Sequence, residues 1–163
     1  MAATYTPIAS ITLGTAVSSV TFSSIPQTYT DLVIVINGAT DADANLNIYM
    51  NGDTSSIYSE TNLYGNGSTV TSTRVSGNTN IGIGGISSGT DEQGTNILQI
   101  FNYSNTTTFK TTIARANNST FVQVRTGLRR STNAITSLTI VASGTTFLTG
   151  STFNLYGIQA GNA

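Results

Sequence analysis

Short runs of Val, Ile, Thr, Tyr and Phe, bounded by Gly, Asn and Ser, recur along the whole chain, and the spacing of an amphipathic helix is nearly missing. Such runs mark an all-β sandwich or barrel. The first two, over 8–13 and 17–25, predict an opening hairpin turned by Gly14 and closed by Pro26, whose missing N–H ends a ladder. The near-continuous run Leu32-Val33-Ile34-Val35-Ile36, within a strand over 31–37, has apolar side chains on both faces and predicts a covered, deeply buried strand. Over 45–50 the pattern alternates, with Leu46, Ile48 and Met50 on one face and Asn47 and Tyr49 on the other. It runs into Asn51-Gly52, a strong hairpin signal, so the return arm is expected over 56–63.

From 65 to 94 glycine is dense, which predicts a loop-rich surface segment. Order resumes at 96–103 and 109–117, joined by the polar connector Ser104-Asn105-Thr106-Thr107, and Asn117-Asn118 can turn the chain into 121–128 to complete a three-stranded meander. The last strands are expected over 135–142 and 152–159, the latter with Phe153, Leu155 and Gly157 on one face. No fixed-period repeat, heptad stretch or collagen-like tract is present. The pattern therefore predicts one domain over 1–163, a single antiparallel β-sandwich.

Composition narrows the chemistry. The 163 residues contain no His, Cys or Trp, and six Lys or Arg stand against seven Asp or Glu, for a formal net charge of −1. Ser-His-Asp and Cys-His nucleophiles and an ordinary zinc site are thereby excluded. The near-neutral charge gives no footprint for nucleic acid. No signal-peptide core and no apolar run of membrane-spanning length occurs, so the chain is read as soluble in the cytoplasm where it is made. Lys110, the only lysine, lies in a strand pattern and reads as a solvated strand residue in preference to a base. Asp91 and Glu92 are adjacent in the Gly-rich segment, a poor arrangement for the facing carboxylates of a glycosidase. Asp41, Asp43 and Asp53 offer oxygen ligands for a hard cation, but Leu46 and Gly52 stand where a calcium loop needs Gly and Glu. No enzymatic activity, cofactor or metal is expected. The sequons at Asn66, Asn105 and Asn118 read as chance in so Asn- and Thr-rich a chain.

Two clusters remain as binding candidates. Arg115, Arg125, Arg129 and Arg130 concentrate positive charge in one meander, as contacts to another subunit or shell or as a solvated edge that opposes aggregation. Tyr49, Tyr58 and Tyr64 flank the Asn51-Gly52 turn, as a platform for a sugar or subunit or as ordinary cross-strand packing.

Several segments also resemble small virion proteins of tailed phages of the cyanophage and marine-phage type. They are Asn51-Gly52-Asp53-Thr54 with Tyr58-Ser59 and Leu63-Tyr64-Gly65, the stretch from Asn102 to Lys110, Leu128-Arg129-Arg130-Ser131-Thr132, and the stretch from Gly150 to Ile158. Arg129 stands where that group usually has an aromatic residue. The resemblance implies a jelly-roll-like virion domain, made in the host cytoplasm, that acts as a homo-oligomer. A trimer is the expected form. Such proteins either decorate and cement the head, bound to the major capsid protein or another virion protein, or present a fibre tip to a host glycan. Without a shaft or attachment helix, this chain is expected to be a decoration protein.

Overall fold

In a computed structural model that describes residues 4–89 and 93–159, the chain is all-β. Among those residues there is no helix, and twelve strands are present. These are β1 (Tyr5–Thr12), β2 (Ser19–Phe22), β3 (Asp31–Gly38), β4 (Ala44–Met50), β5 (Tyr58–Gly65), β6 (Val70–Asn78), β7 (Ile81–Ile86), β8 (Gly94–Phe101), β9 (Lys110–Asn117), β10 (Val122–Arg129), β11 (Leu138–Ala142) and β12 (Thr152–Ile158). An eight-stranded sheet in the order β1-β12-β3-β8-β9-β10-β5-β6 packs on a four-stranded sheet in the order β2-β11-β4-β7, giving a jelly-roll-like antiparallel sandwich.

Most connections cross between the sheets. Only β5–β6, β8–β9 and β9–β10 are hairpins within one sheet, and all three use the same turn chemistry. At each tip an Asn carboxamide oxygen accepts backbone N–H groups two and three residues on, in an Asx turn. Asn66 takes Ser68 and Thr69 at 3.1 and 2.8 Å, Asn105 takes Thr107 and Thr108 at 2.7 and 2.9 Å, and Asn118 takes Thr120 and Phe121 at 2.8 and 2.9 Å. The three sequons are thus the hairpin-closing residues of the large sheet, and not incidental.

The buried apolar side chains form one cluster between the sheets. Leu32, Ile34 and Ile36 of β3, Leu98 and Ile100 of β8, and Phe153 and Leu155 of β12 meet Leu46, Ile48 and Met50 of β4 and Leu138 and Ile140 of β11. Phe147 and Phe153 stack edge to face at 4.9 Å. β3 is paired on both sides and deeply buried on its inner face as expected, through Leu32, Ile34 and Ile36, whereas Val35 on the outer face is only partly covered. The C-terminal strand is likewise an interior strand, with Phe153, Leu155 and Gly157 all buried. The meander is present as β8-β9-β10.

Three expectations are corrected. The opening pair is not a hairpin: β1 joins the large sheet beside β12, and β2 joins the small sheet beside β11. Asn51-Gly52 does turn the chain, with φ of 58° and 65° and Asp53 N–H donating to the Met50 carbonyl at 3.2 Å. The turn, however, carries β4 of the small sheet over to β5 of the large one. A tight turn fixes a reversal of direction; the partner of each arm is decided by burial.

Nor is the Gly-rich segment mainly loop, since it holds β6 and the fully buried β7. The glycines of β7 let the sheets approach closely. A Cβ on Gly84, whose φ is +130°, would lie 2.1 Å from the Cβ of Ala116, and one on Gly82 would lie 2.1 Å from Nη1 of Arg125. Gly84→Ala is therefore expected to cost about 3 kcal/mol, combining overpacking with a backbone angle that alanine resists. Urea unfolding monitored by circular dichroism would measure the loss.

Candidate functional site

The half of the large sheet formed by β9, β10 and β5 has its polarity turned inside out. A strand alternates its side chains between two faces, and the usual outcome puts the apolar set inward. In β10 the inward set is Gln123, Arg125, Gly127 and Arg129, whereas Val122 and Val124 face solvent at 64% and 38% exposure. In β5, Tyr58, Glu60 and Asn62 are inside while Leu63 is 51% exposed. In β9 the inversion is partial: Lys110 and Thr112 are buried together with Ala114 and Ala116, while Ile113 and Arg115 are exposed.

Two arginines cause this inversion. Arg125 lies in the layer between the sheets. Its Nη1 pairs with Oε1 of Glu60 on β5 at 3.1 Å, Nη2 donates to Oδ1 of Asn45 on β4 at 3.1 Å, and Nε donates to Gln123 at 3.2 Å. The other Glu60 oxygen accepts the N–H of Gly82 on β7 at 2.5 Å. Arg125 and Glu60 are 13% and 10% exposed. A pair so largely removed from water holds only if its remaining hydrogen-bonding capacity is met, and here side chains and backbone from both sheets help to meet it.

Arg129, 2% exposed, pairs at 3.1 Å with Asp53 of the β4–β5 connection. It also lies beside the buried Tyr58 hydroxyl, which donates to the Asp53 carbonyl at 3.0 Å. Burial raises the Tyr58 pKa above its ordinary value. Directly across the ladder from Arg129 is Lys110. The expectation of a solvated lysine is overturned: the residue is fully buried, and its ammonium donates to the carbonyls of Asn105, Thr108 and Thr132 at 2.5, 2.7 and 3.1 Å. Burial, with the Arg129 charge second, lowers its pKa, while three carbonyls that accept but cannot donate favour keeping the proton in place. Lys110 is thereby a staple for the connections after β8 and β10.

The arginine candidates therefore separate. Arg125 and Arg129 are engaged internally and offer nothing to a partner. Arg130 is exposed and donates to Ser59 Oγ at 2.8 Å. Arg115 is exposed on the outer face. The tyrosines do not form a platform. Tyr49 is on the small sheet, Tyr58 has no exposed surface, and Tyr64 is half-buried edge to face with Phe121 at 5.8 Å.

Among the described residues no group of three or more acidic side chains could hold a metal. Asp53 is committed to Arg129, and Asp43 accepts the Ser88 N–H at 2.9 Å. Asp91 and Glu92 lie outside the described residues.

Sequence reading missed the exposed apolar face. One row across the outer side of the sheet reads Leu63, Val124, Arg115, Ile97 and Val35, each opposite the next. Shallow depressions of about 260 and 200 Å³ lie along it, and one of about 470 Å³ lies beside it around Thr61, Arg74, Ile113 and Leu128. The available signal was the alternation Val122-Gln123-Val124-Arg125, which by itself points the valines inward.

No family model matches the chain, and no curated protein matches it.

The Asp53 pair carries a pH dependence. The Ser55 hydroxyl at 2.5 Å and its backbone N–H at 3.0 Å, followed by Arg129, hold the Asp53 carboxyl below its ordinary value of 3.8. A carboxyl depressed on folding contributes stability that is complete above its unfolded pKa and is lost as pH falls through the folded one. Asp53→Asn is expected to lower stability at neutral pH by about 2 kcal/mol. It should also flatten the loss of stability that the wild type shows on acidification below about pH 4, read by urea unfolding across that range.

Proposed function

We propose that the chain is a non-enzymatic structural protein of a phage virion, specifically a decoration or cement protein. It would bind the outside of the head shell as an oligomer, with a trimer as the favoured form, and stabilise it. The observation that carries this reading is the outer face of β9, β10, β5 and β6, where exposed Val122, Val124, Ile113, Leu63 and Val70 lie among Ser and Thr side chains and the exposed Arg74 and Arg115, over depressions that are all shallow. Buried charged groups in the described chain are engaged internally: Arg125 with Glu60, Arg129 with Asp53, and Lys110 with three carbonyls. That arrangement suits adhesion to another surface better than turnover of a substrate. The segments resembling phage virion proteins, spread from Asn51 to Ile158, supply the virion part of the reading. Many copies engaging a regular shell would gain avidity from modest individual contacts.

The test is electron microscopy of intact virions labelled with a gold-tagged antibody to this chain. Label spread over the head is expected, together with earlier release of the genome on heating from heads that lack the protein. Label confined to the tail or to spikes would overturn the reading in favour of a receptor-binding tip.

A further inference from the structure

We infer that the outer face of β9, β10, β5 and β6 is a self-association surface that receives the Asp41–Asp43 loop of a second copy of this chain. This rests on the oligomeric part of the function proposed above and names its contact.

The face is unusual first in polarity. Val122, Val124, Ile113 and Leu63 are 64%, 38%, 39% and 51% exposed and point to the same side of one sheet, and Val70, 76% exposed, lies at its corner. Single exposed apolar residues are ordinary, but a contiguous set marks a contact surface. It is also large enough. Its four strands, at a spacing of ~4.8 Å and with eight residues of ~3.3 Å each, give a plan area on the order of 500 Å². Side-chain relief adds to that, so the face has room for the loop and for the surface beside it, toward the ~800 Å² that each partner of a specific interface contributes.

Charge selects the occupant. The exposed charges on this part of the sheet are Arg74 and Arg115, joined by Arg130 just past the end of β10, with no carboxylate among the outward residues of the four strands. Two copies meeting face to face about a twofold axis would set arginine against arginine. Arg74, at the middle of the unpaired edge strand β6, likewise opposes in-register pairing of β6 with its own copy. The exposed carboxylates of the described chain without an ion pair are Asp41 and Asp43, between β3 and β4.

That loop is also held in shape. Asp41 N–H donates to the Thr146 carbonyl at 2.9 Å, Ala42 N–H to Thr145 Oγ1 at 3.1 Å, and Asp43 Oδ1 accepts from Ser88 at 2.9 Å. It presents two carboxylates around the exposed methyl of Ala42 and loses little freedom on docking. Because face and loop are different surfaces, the contact is heterologous, and repetition closes a ring where the rotation permits.

The test uses the purified full chain in sedimentation equilibrium, with two variants: Val124→Glu on the face, and the double variant Asp41→Arg, Asp43→Arg in the loop. Wild type is expected to form an oligomer that weakens with added salt. Each variant should sediment at the mass of one chain while keeping the wild-type circular dichroism spectrum. Mixed together, they should form a one-to-one dimer, since one supplies an intact loop and the other an intact face.

A monomeric wild type, an oligomer that survives Val124→Glu, or a mixture that stays monomeric would each overturn the inference. Should Val124→Glu fail to fold, Arg115→Glu takes its place as the face variant under the same criteria. A monomeric chain that still labels the head would overturn self-association alone. An oligomeric chain that labels the tail would overturn the decoration reading and leave this contact standing.

Discussion

An arginine that has left water must find a carboxylate, and in this sandwich the pairing of Arg125 with Glu60 settles the orientation of half a sheet. Breaking such a pair leaves an uncompensated buried charge, a larger cost than the exposure of a valine or two. Since side chains along a strand alternate strictly, turning Arg125 inward turns Val122 and Val124 outward, and a shift of one residue would reverse every position at once. The ladder then transmits the choice. Register with β10 puts Glu60 inside and Leu63 outside on β5, and Lys110 inside and Ile113 outside on β9. Arg129 with Asp53 repeats the constraint at one end of the strand.

The molecule accordingly has two kinds of interior. Under β12, β3 and β8 the layer between the sheets is aliphatic and aromatic, faced by β11 and β4. Under β9, β10 and β5 it holds amides, hydroxyls and ion pairs packed on the glycines of β7. The first region buries the apolar surface that drives folding. The second mixes its polar groups with Ile81, Ile83 and Ile86 of β7 and the small Ala114 and Ala116 of β9, and its exposed valines and leucine are the counterpart of the polar part of that interior. Glycine in β7 belongs to this arrangement, because guanidinium and amide groups need the room that a column of larger side chains would occupy.

Much of this architecture is legible in the sequence, and the parts that are not share a cause. The strands with one consistent apolar face, β3, β4 and β12, are visible because nothing competes with burial of that face. The meander is visible because Asn105 and Asn118 close its turns locally. The crossing after Asn51-Gly52 is hidden, since a turn motif carries no information about which sheet receives the next strand. Lys110 and Arg129 read as surface residues because their partners are backbone carbonyls and an aspartate far away in the chain. Treating Gly65 to Gly94 as loop failed for a related reason: glycine was serving close approach of two sheets, a property of the neighbouring strands and not of the segment. The candidate site was half legible. Arg115 and Arg130 are on the surface as the pattern implies, whereas the apolar residues around Arg115 follow from an orientation that only the buried pairs determine.

The antiparallel pairing of β1 with β12 sets Tyr5 opposite Ile158, so both ends of the described chain emerge at one corner. That corner belongs to the sheet edge farthest from β6. Polypeptide joined at either end would leave the molecule away from the apolar face, and a short linker between the two would make the chain circular without crossing the sandwich. The fold is thus suited to circular permutation, with new ends opened at the Asn66 turn, where among the described residues no buried side chain ties down the loop as Lys110 does at Asn105.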